Sequence, residues 1–274
     1  MGDVIWQHSV QSNGYGGKFV SQFNHTIVYS KTNEFVLKNL PRTEKDNKLY
    51  KNPDNDPRGK WRAGYCVNGL YRPNLKYDII TPNGNIIESP EKGWRWSKET
   101  LEKKIQEGEI IYNADETAII HKLYLNDLDG KVPENIWTKG DAGTTRQATT
   151  ELKILFGGKA PFDTPKPTQL LERIIQIASD DKSIILDSFA GSGTTAHAVL
   201  NMNKSDGGNR KFILVEMGDY ADTITAERVK RVINGYGEEK NAVEGTGGNF
   251  SYYELGNPLF MQDGTINNEV DITE

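Results

Sequence analysis

The sequence predicts an α/β fold built on parallel strands, on three observations. Ser183-Ile184-Ile185-Leu186-Asp187 is a short apolar run ending in an acid, and the turn Gly191-Ser192-Gly193 follows closely. Lys211-Phe212-Ile213-Leu214-Val215-Glu216 repeats the pattern, with a helix-length stretch between the two. Lys166-Pro167 opens another helix, whose Leu170, Leu171, Ile174, Ile175 and Ala178 share one apolar face. Strand, glycine turn and helix in that order build a ligand pocket at the carboxyl end of a parallel sheet.

From the N-terminus, residues 3–10 and 25–31 read as an antiparallel strand pair, joined across the loop Asn13-Gly14-Tyr15-Gly16-Gly17. Between residues 34 and 150 the pattern loosens. Residues 52–59 cluster turn formers, and Pro82-Asn83-Gly84 joins residues 77–80 to 85–88 as a hairpin. Ser97 caps a helix running through Leu101 to Ile105, and residues 108–112 form a strand. Trp61, Trp94, Trp96 and Trp137 all fall in this segment, and the alternation of Trp94 and Trp96 places one of them in a core. Beyond it, Thr149 caps a short helix over 151–156, closed by Gly157-Gly158. The Lys166-Pro167 helix, strand 183–187 and a helix to about Asn203 come next, then a buried strand 211–216. A helix over 225–233 and a third strand over 250–255 follow, and a polar tail starts at Gly256.

With 274 residues, the chain holds one large domain or a core domain with an insertion. Cys66 is its one cysteine, which excludes a disulfide framework and a thiolate zinc site. The four histidines show no metal spacing, so no metal is expected. No apolar run approaches membrane-spanning length and the N-terminus lacks a signal-peptide pattern, so a cytoplasmic, bacterial-type protein without membrane contact is expected. The net charge of −5 is unevenly spread: residues 34–104 carry 15 basic and 10 acidic side chains, whereas residues 151–274 carry 12 and 19. A basic block inside an acidic chain suits phosphate contact, though charge alone does not distinguish it from ordinary surface variation.

Gly191-Ser192-Gly193-Thr194-Thr195-Ala196 matches the dinucleotide fingerprint, and Glu216 lies 23 residues beyond Gly193, where an acid meets a ribose. Two features oppose a nicotinamide dinucleotide. Asp187 stands just before the turn, where it would repel a pyrophosphate, and the 81 residues after Gly193 are too few for a six-stranded dinucleotide fold. A cofactor with an amino group and no phosphates suits Asp187 better, and S-adenosyl-L-methionine has both properties.

On these residues the chain resembles a family. Asp187-x-Phe189-x-Gly191-Ser192-Gly193-Thr194-Thr195, preceded by Lys166-Pro167-x-x-Leu170, is similar to the amino-methyltransferases of DNA. The late placement of the turn is that of their permuted (beta) class. The stretches 54–61, 93–97, 136–137 and 210–216 look most like the modification subunits of type III restriction-modification systems, which methylate the exocyclic amine of adenine. The resemblance covers residues 3–255. It implies a Rossmann-like methyltransferase sheet with an inserted α+β target-recognition region. Residues 1–33 would supply the last two strands, 34–150 the recognition region, 151–255 the cofactor half and 256–274 the tail. It further implies that Asp187, Phe189, Gly191, Ser192 and Gly193 shape the S-adenosyl-L-methionine pocket, that Glu216 accepts both ribose hydroxyls, and that Lys166 and Pro167 lie near the methionine end. Arg58, Lys60, Trp61, Arg62, Arg72 and Arg95 are the candidate contacts to double-stranded DNA. A restriction (nuclease/helicase) subunit is the further partner, and the full-length protein is expected to be a homodimer.

The family transfers its methyl group through an Asp/Asn-Pro-Pro-Tyr/Phe tetrapeptide, whose aromatic ring stacks on the flipped base. No two of the eleven prolines here are adjacent. The catalytic residues are therefore absent from this chain, and the resemblance implies the C-terminal portion of an enzyme, without the central strands and inactive alone. The alternatives are an inactive DNA- or partner-binding remnant and, less favoured, an NAD-dependent oxidoreductase.

Overall fold

In the computed structural model, which describes residues 2–11 and 19–267, the chain packs as two units. One comprises the residues up to Lys38 with those from Glu134 onward, the other Asn39–Pro133. The expected loop 13–17 and the end of the tail lie outside the described residues. Along the chain run β1 (Gly2–Gln7), β2 (Phe23–Val28), α1 (Glu44–Asn47), β3 (Trp61–Gly64), β4 (Ile79–Ile80), β5 (Ile86–Ile87), α2 (Lys98–Gln106), β6 (Ile110–Tyr112), β7 (Ile119–Tyr124), β8 (Ile136–Trp137), α3 (Lys139–Ala142), α4 (Thr145–Leu155), α5 (Thr168–Ala178), β9 (Ile184–Asp187), α6 (Thr194–Asp206), β10 (Lys211–Leu214), α7 (Glu227–Asn234), β11 (Gly235–Tyr236) and β12 (Val243–Glu244). A π-helical turn, Ala221–Ala226, leads into α7. No helix among the described residues is long and apolar enough to cross a membrane.

In the first unit, β9 and β10 pair in parallel, from Ile184 opposite Lys211 to Asp187 opposite Leu214. Their inner face, Ile185 and Phe212, packs on Ile175 of α5 and on Ala198 and Val199 of α6. Leu155, Ala196, Leu200, Val229 and Val232 close a second cluster among α4, α6 and α7. The other face is bare: Ile184, Leu186 and Ile213 are exposed. The expectation of fully buried strands is corrected on this point, because the helices that pack on the pair all touch one face. Separately, β1 pairs antiparallel with β2, as expected, and parallel with β8, an element with no clear signal in the sequence. Trp6 and Trp137 are buried there, and the Trp6 indole donates to Gly143 O at 2.9 Å.

Three further expectations are corrected. The helix expected at Glu151 starts at Thr145, where the Thr144 hydroxyl accepts from Gln147 N. Thr149 does not cap it, because its hydroxyl, like that of Thr150, bonds back one turn to a carbonyl inside the helix. Pro167 is the N-cap of α5, one residue before its first turn. Residues 250–255 form no strand: they have no ladder partners, and Phe250 packs against the second cluster.

In the second unit, β3, β7 and β6 form an antiparallel sheet, and β4–β5 is the expected hairpin. Ser97 caps α2 as expected, by accepting from Thr100 N. The core holds Ile79, Ile87, Trp94, Leu101, Ile110 and Ile119, with Trp96 half-buried beside it. Strand β7 carries Lys122 on its inward face, which masks its strand pattern in the sequence.

Candidate functional site

Asp187 ends β9 with both carboxylate oxygens engaged: Oδ1 accepts from Phe189 N at 3.2 Å and Oδ2 from the Thr195 hydroxyl at 2.5 Å. These bonds pin the carboxylate at the lip of the turn and leave further lone pairs for an incoming donor. Gly191 and Gly193 then take positive φ, +52° and +74°. At Gly193 a Cβ would stand 2.9 Å from Thr225 O, so glycine is required there by contact as well as by conformation. Helix α6 starts from Gly193, which leaves its first-turn N–H groups without intrahelical acceptors.

Glu216 reaches back to the same turn. Its carboxylate accepts from Gly191 N at 2.7 Å and from Gly218 N at 2.9 Å. Burial pushes the carboxyl up, but these backbone donors outweigh it and hold it below the usual carboxylate value, so it is ionised at neutral pH. A cleft of about 740 Å³ opens from Glu216 along β10, lined by Phe212, Leu214, Thr225, Phe250 and Tyr252 among others. Lys166 and Pro167 are brought to the turn through the backbone, where Lys166 O accepts from the Thr194 hydroxyl at 3.2 Å. The Lys166 side chain is exposed, and Phe189 is 86% exposed.

The structure thus gathers Asp187, Gly191, Ser192, Gly193, Glu216 and the start of α5 around one turn. Other contributors carry no local signal. Thr225, placed by the π-helical turn, donates to Gly191 O at 2.6 Å. Phe162 packs beside Gly191 and forms an edge-to-face pair with Tyr220 at 5.5 Å. Arg228 is fully buried behind the turn. It stands four residues before Val232 on the inward face of α7, so a cation at a core-facing position was its only sequence signal.

The basic candidates lie in the second unit and divide into two sets. Arg58, which stays exposed, and Trp61, which is half-buried, are engaged by acids. The Arg58 guanidinium donates to Asp56 and to the carbonyls of Glu107 and Gly108, and it lies 4.4 Å over the Tyr124 ring. The Trp61 indole donates to Asp54 at 2.9 Å. Asp54 and Asp56 also accept from the buried Lys122, at 2.5 and 2.7 Å. Arg62 donates to the Tyr50 hydroxyl. Lys60, Arg72 and Arg95 are exposed. Backbone bonds join the segments that carry Arg72 and Arg95, from Arg72 N to Lys92 O and from Arg95 N to Cys66 O. The exposed rings of Tyr65 and Tyr71 lie on those segments.

Comparison with known proteins places the chain among DNA methylases. A family model described as DNA methylase matches residues 2–227. The chain is 32% identical over 249 residues to the Mod subunit of the type III restriction-modification enzyme StyLTI of Salmonella typhimurium, covering 84% of this chain and 37% of that protein. It is 35% identical over 190 residues to the EcoP15I Mod subunit of Escherichia coli, covering 68% and 28%. It is 30% identical over 244 residues to the type II methyltransferase M.KpnI of Klebsiella pneumoniae, covering 79% and 55%. The chain therefore spans about a third of the length of the two Mod subunits.

Proposed function

Because the chain belongs to the DNA methylase family, we propose that it carries the cofactor-binding and target-recognition parts of a site-specific adenine methyltransferase of the type III modification kind. The observation that carries this reading is the glycine turn set between two carboxylates, Asp187 and Glu216, and joined to the Lys166-Pro167 helix. The site suits S-adenosyl-L-methionine: it offers an ionised acid for ribose hydroxyls, a second carboxylate for an ammonium, and no lysine on the turn for phosphates. When bound, this cofactor supplies an electrophilic methyl group. Glu216 holds the ribose, Asp187 the amino acid end, and Gly191 and Gly193 leave the backbone open to close approach. Ser192, Phe189, Lys166 and Pro167 complete the wall.

In the second unit, Lys60, Arg62, Arg72 and Arg95 contact duplex DNA, with Tyr65 and Tyr71 beside them, while Arg58 and Trp61 are occupied by Asp56 and Asp54. The whole enzyme flips an adenine out of the duplex and acts as a homodimer with a nuclease/helicase subunit. The Asp/Asn-Pro-Pro-Tyr/Phe tetrapeptide that engages the target amine is absent from these 274 residues, so it must come from outside them. In support, β9 is hydrogen-bonded on one edge only among the described residues, and its free face is apolar. The free edge takes the catalytic strand of the complete sheet.

The isolated chain is expected to bind S-adenosyl-L-methionine in calorimetry yet transfer no radiolabelled methyl group to duplex DNA. Adding a segment that bears the tetrapeptide is expected to restore transfer. Methyl transfer by the chain alone would overturn the division of labour. Salt-dependent DNA binding without cofactor binding would favour an inactive remnant, and preferential binding of NAD would overturn the cofactor assignment.

A further inference from the structure

We propose that Arg228 is the positioning residue of the cofactor turn, its guanidinium joining the turn to three helices so that the turn keeps a ligand-ready shape without ligand. Arg228 is 0% exposed and touches neither Asp187 nor Glu216 through any hydrogen bond among the described residues. Nη1 donates to the Ser192 hydroxyl at 3.2 Å and to the Thr194 hydroxyl at 2.9 Å. Nη2 donates to the Thr168 hydroxyl of α5 at 3.1 Å and to Glu151 of α4 at 3.3 Å. Nε donates to His197 Nδ1 of α6 at 3.3 Å. One planar group thus spans the turn, α4, α5 and α6 from its own place on α7.

Burying a guanidinium carries a desolvation penalty, and a buried ion pair can often be replaced whole by apolar residues of similar size without loss of stability. The same helices already have an apolar seam, Leu155, Ala196, Leu200, Val229 and Val232. Joining them does not require a charge. The turn, by contrast, has two left-handed glycines and no apolar side chain of its own to pack at Ser192 or Gly193. Glu216 and Thr225 hold the turn at Gly191, and the directional bonds from Arg228 to Ser192 and Thr194 fix its second half. The surrounding groups match this role. Glu151 balances the charge, and its second oxygen accepts from the Thr168 hydroxyl. Burial, reinforced by Arg228, keeps the His197 ring neutral, so Nδ1 can accept while Nε2 faces the Tyr236 hydroxyl at 3.4 Å. The network is closed on every side, so its members hold one another's geometry.

The role in binding rests on the cofactor reading above; the role in shaping the turn does not, and the two are tested separately. Amide hydrogen exchange on the ligand-free chain reports the shape, because Gly193 N donates to Ala190 O and His197 N to Gly193 O. Arg228→Met, and Arg228→Lys as the variant that keeps the charge but lacks the fork, are expected to speed exchange at these amides about tenfold or more, with β9 unchanged. Leu155→Ala, which loosens the same helices, is expected to leave the turn no faster than its surroundings. Calorimetry with S-adenosyl-L-methionine is expected to show tighter binding by wild type than by Arg228→Lys, and by Arg228→Lys than by Arg228→Met, with Leu155→Ala near wild type. Unchanged exchange at the turn in Arg228→Lys, or exchange that rises equally throughout the unit, overturns the proposal. If the wild-type chain binds no cofactor, the cofactor reading fails, and the exchange data still decide the role of Arg228.

Discussion

Asp187→Ala is expected to weaken S-adenosyl-L-methionine binding about ten- to a hundredfold, the equivalent of losing one charge-assisted hydrogen bond of roughly 1.5–3 kcal/mol. The residue closes β9 and faces the turn, with Phe189 N and the Thr195 hydroxyl holding its carboxylate still. Removing it deletes the partner of the cofactor's amino group and also leaves the Thr195 hydroxyl unpaired, so part of the effect passes through the fold. Asp187→Asn separates the two. Its amide oxygen still accepts from Phe189 N, but the charge is gone. Titration calorimetry at fixed salt, with thermal melts alongside, is expected to show Asp187→Asn melting near wild type and binding more weakly. Equal affinities for wild type and Asp187→Asn would show that no cationic group of the ligand meets this position.

The second large effect lies in the other unit. Lys122→Met is expected to destabilise it by about 3 kcal/mol, the low end of the range for removing one partner of a buried ion pair. Lys122 bonds both Asp54 and Asp56, and its side chain is 5% exposed. The loss stays at the low end because Asp56 keeps Arg58 and the Tyr124 hydroxyl, which donates at 2.8 Å. The network also makes stability depend on pH. Bonds from Arg58 first, then Lys122, hold the Asp56 carboxyl far below the usual carboxylate range, against a smaller opposing effect of burial. A carboxyl lowered on folding stabilises at pH above its unfolded value of about 3.9, and that stability is lost as the pH falls below it toward the folded value. Urea melts followed by amide exchange on β7 are therefore expected to lose stability below about pH 4, more steeply in wild type than in Lys122→Met. Identical midpoints for the two proteins at pH 7 would show that the ion pair contributes nothing net.

Most of the cofactor turn was legible in the sequence because its requirements are local. A positive φ at Gly191 and Gly193 calls for glycine, an acid-ended apolar run calls for a strand, and a proline marks the start of α5. The apolar period of α5 and the cap of α2 at Ser97 are legible for the same reason. The basic region was less legible. A run rich in arginine and tryptophan looks alike whether it faces a phosphate or an aspartate. Arg58 and Trp61 are taken up by the nearby Asp56 and Asp54, which Lys122 anchors from 66 and 68 positions away, while Arg72 and Arg95 stay exposed without an acid partner among the described residues. Strands β7 and β8 were missed since one carries a buried lysine and the other has two residues held by β1, far away in sequence.

The sequence by itself determined the family resemblance, the turn and its two flanking acids, and the absence of the Pro-Pro tetrapeptide, because each depends on residue identity at short spacing. Only the tertiary structure decided which face of β9 and β10 is covered, which arginines are taken up by acids, and that Arg228 stands behind the turn. Those outcomes depend on contacts between residues tens of positions apart, as between Arg228 and Glu151 or Lys122 and Asp56. Such contacts follow from packing, and no local spacing in the chain encodes them.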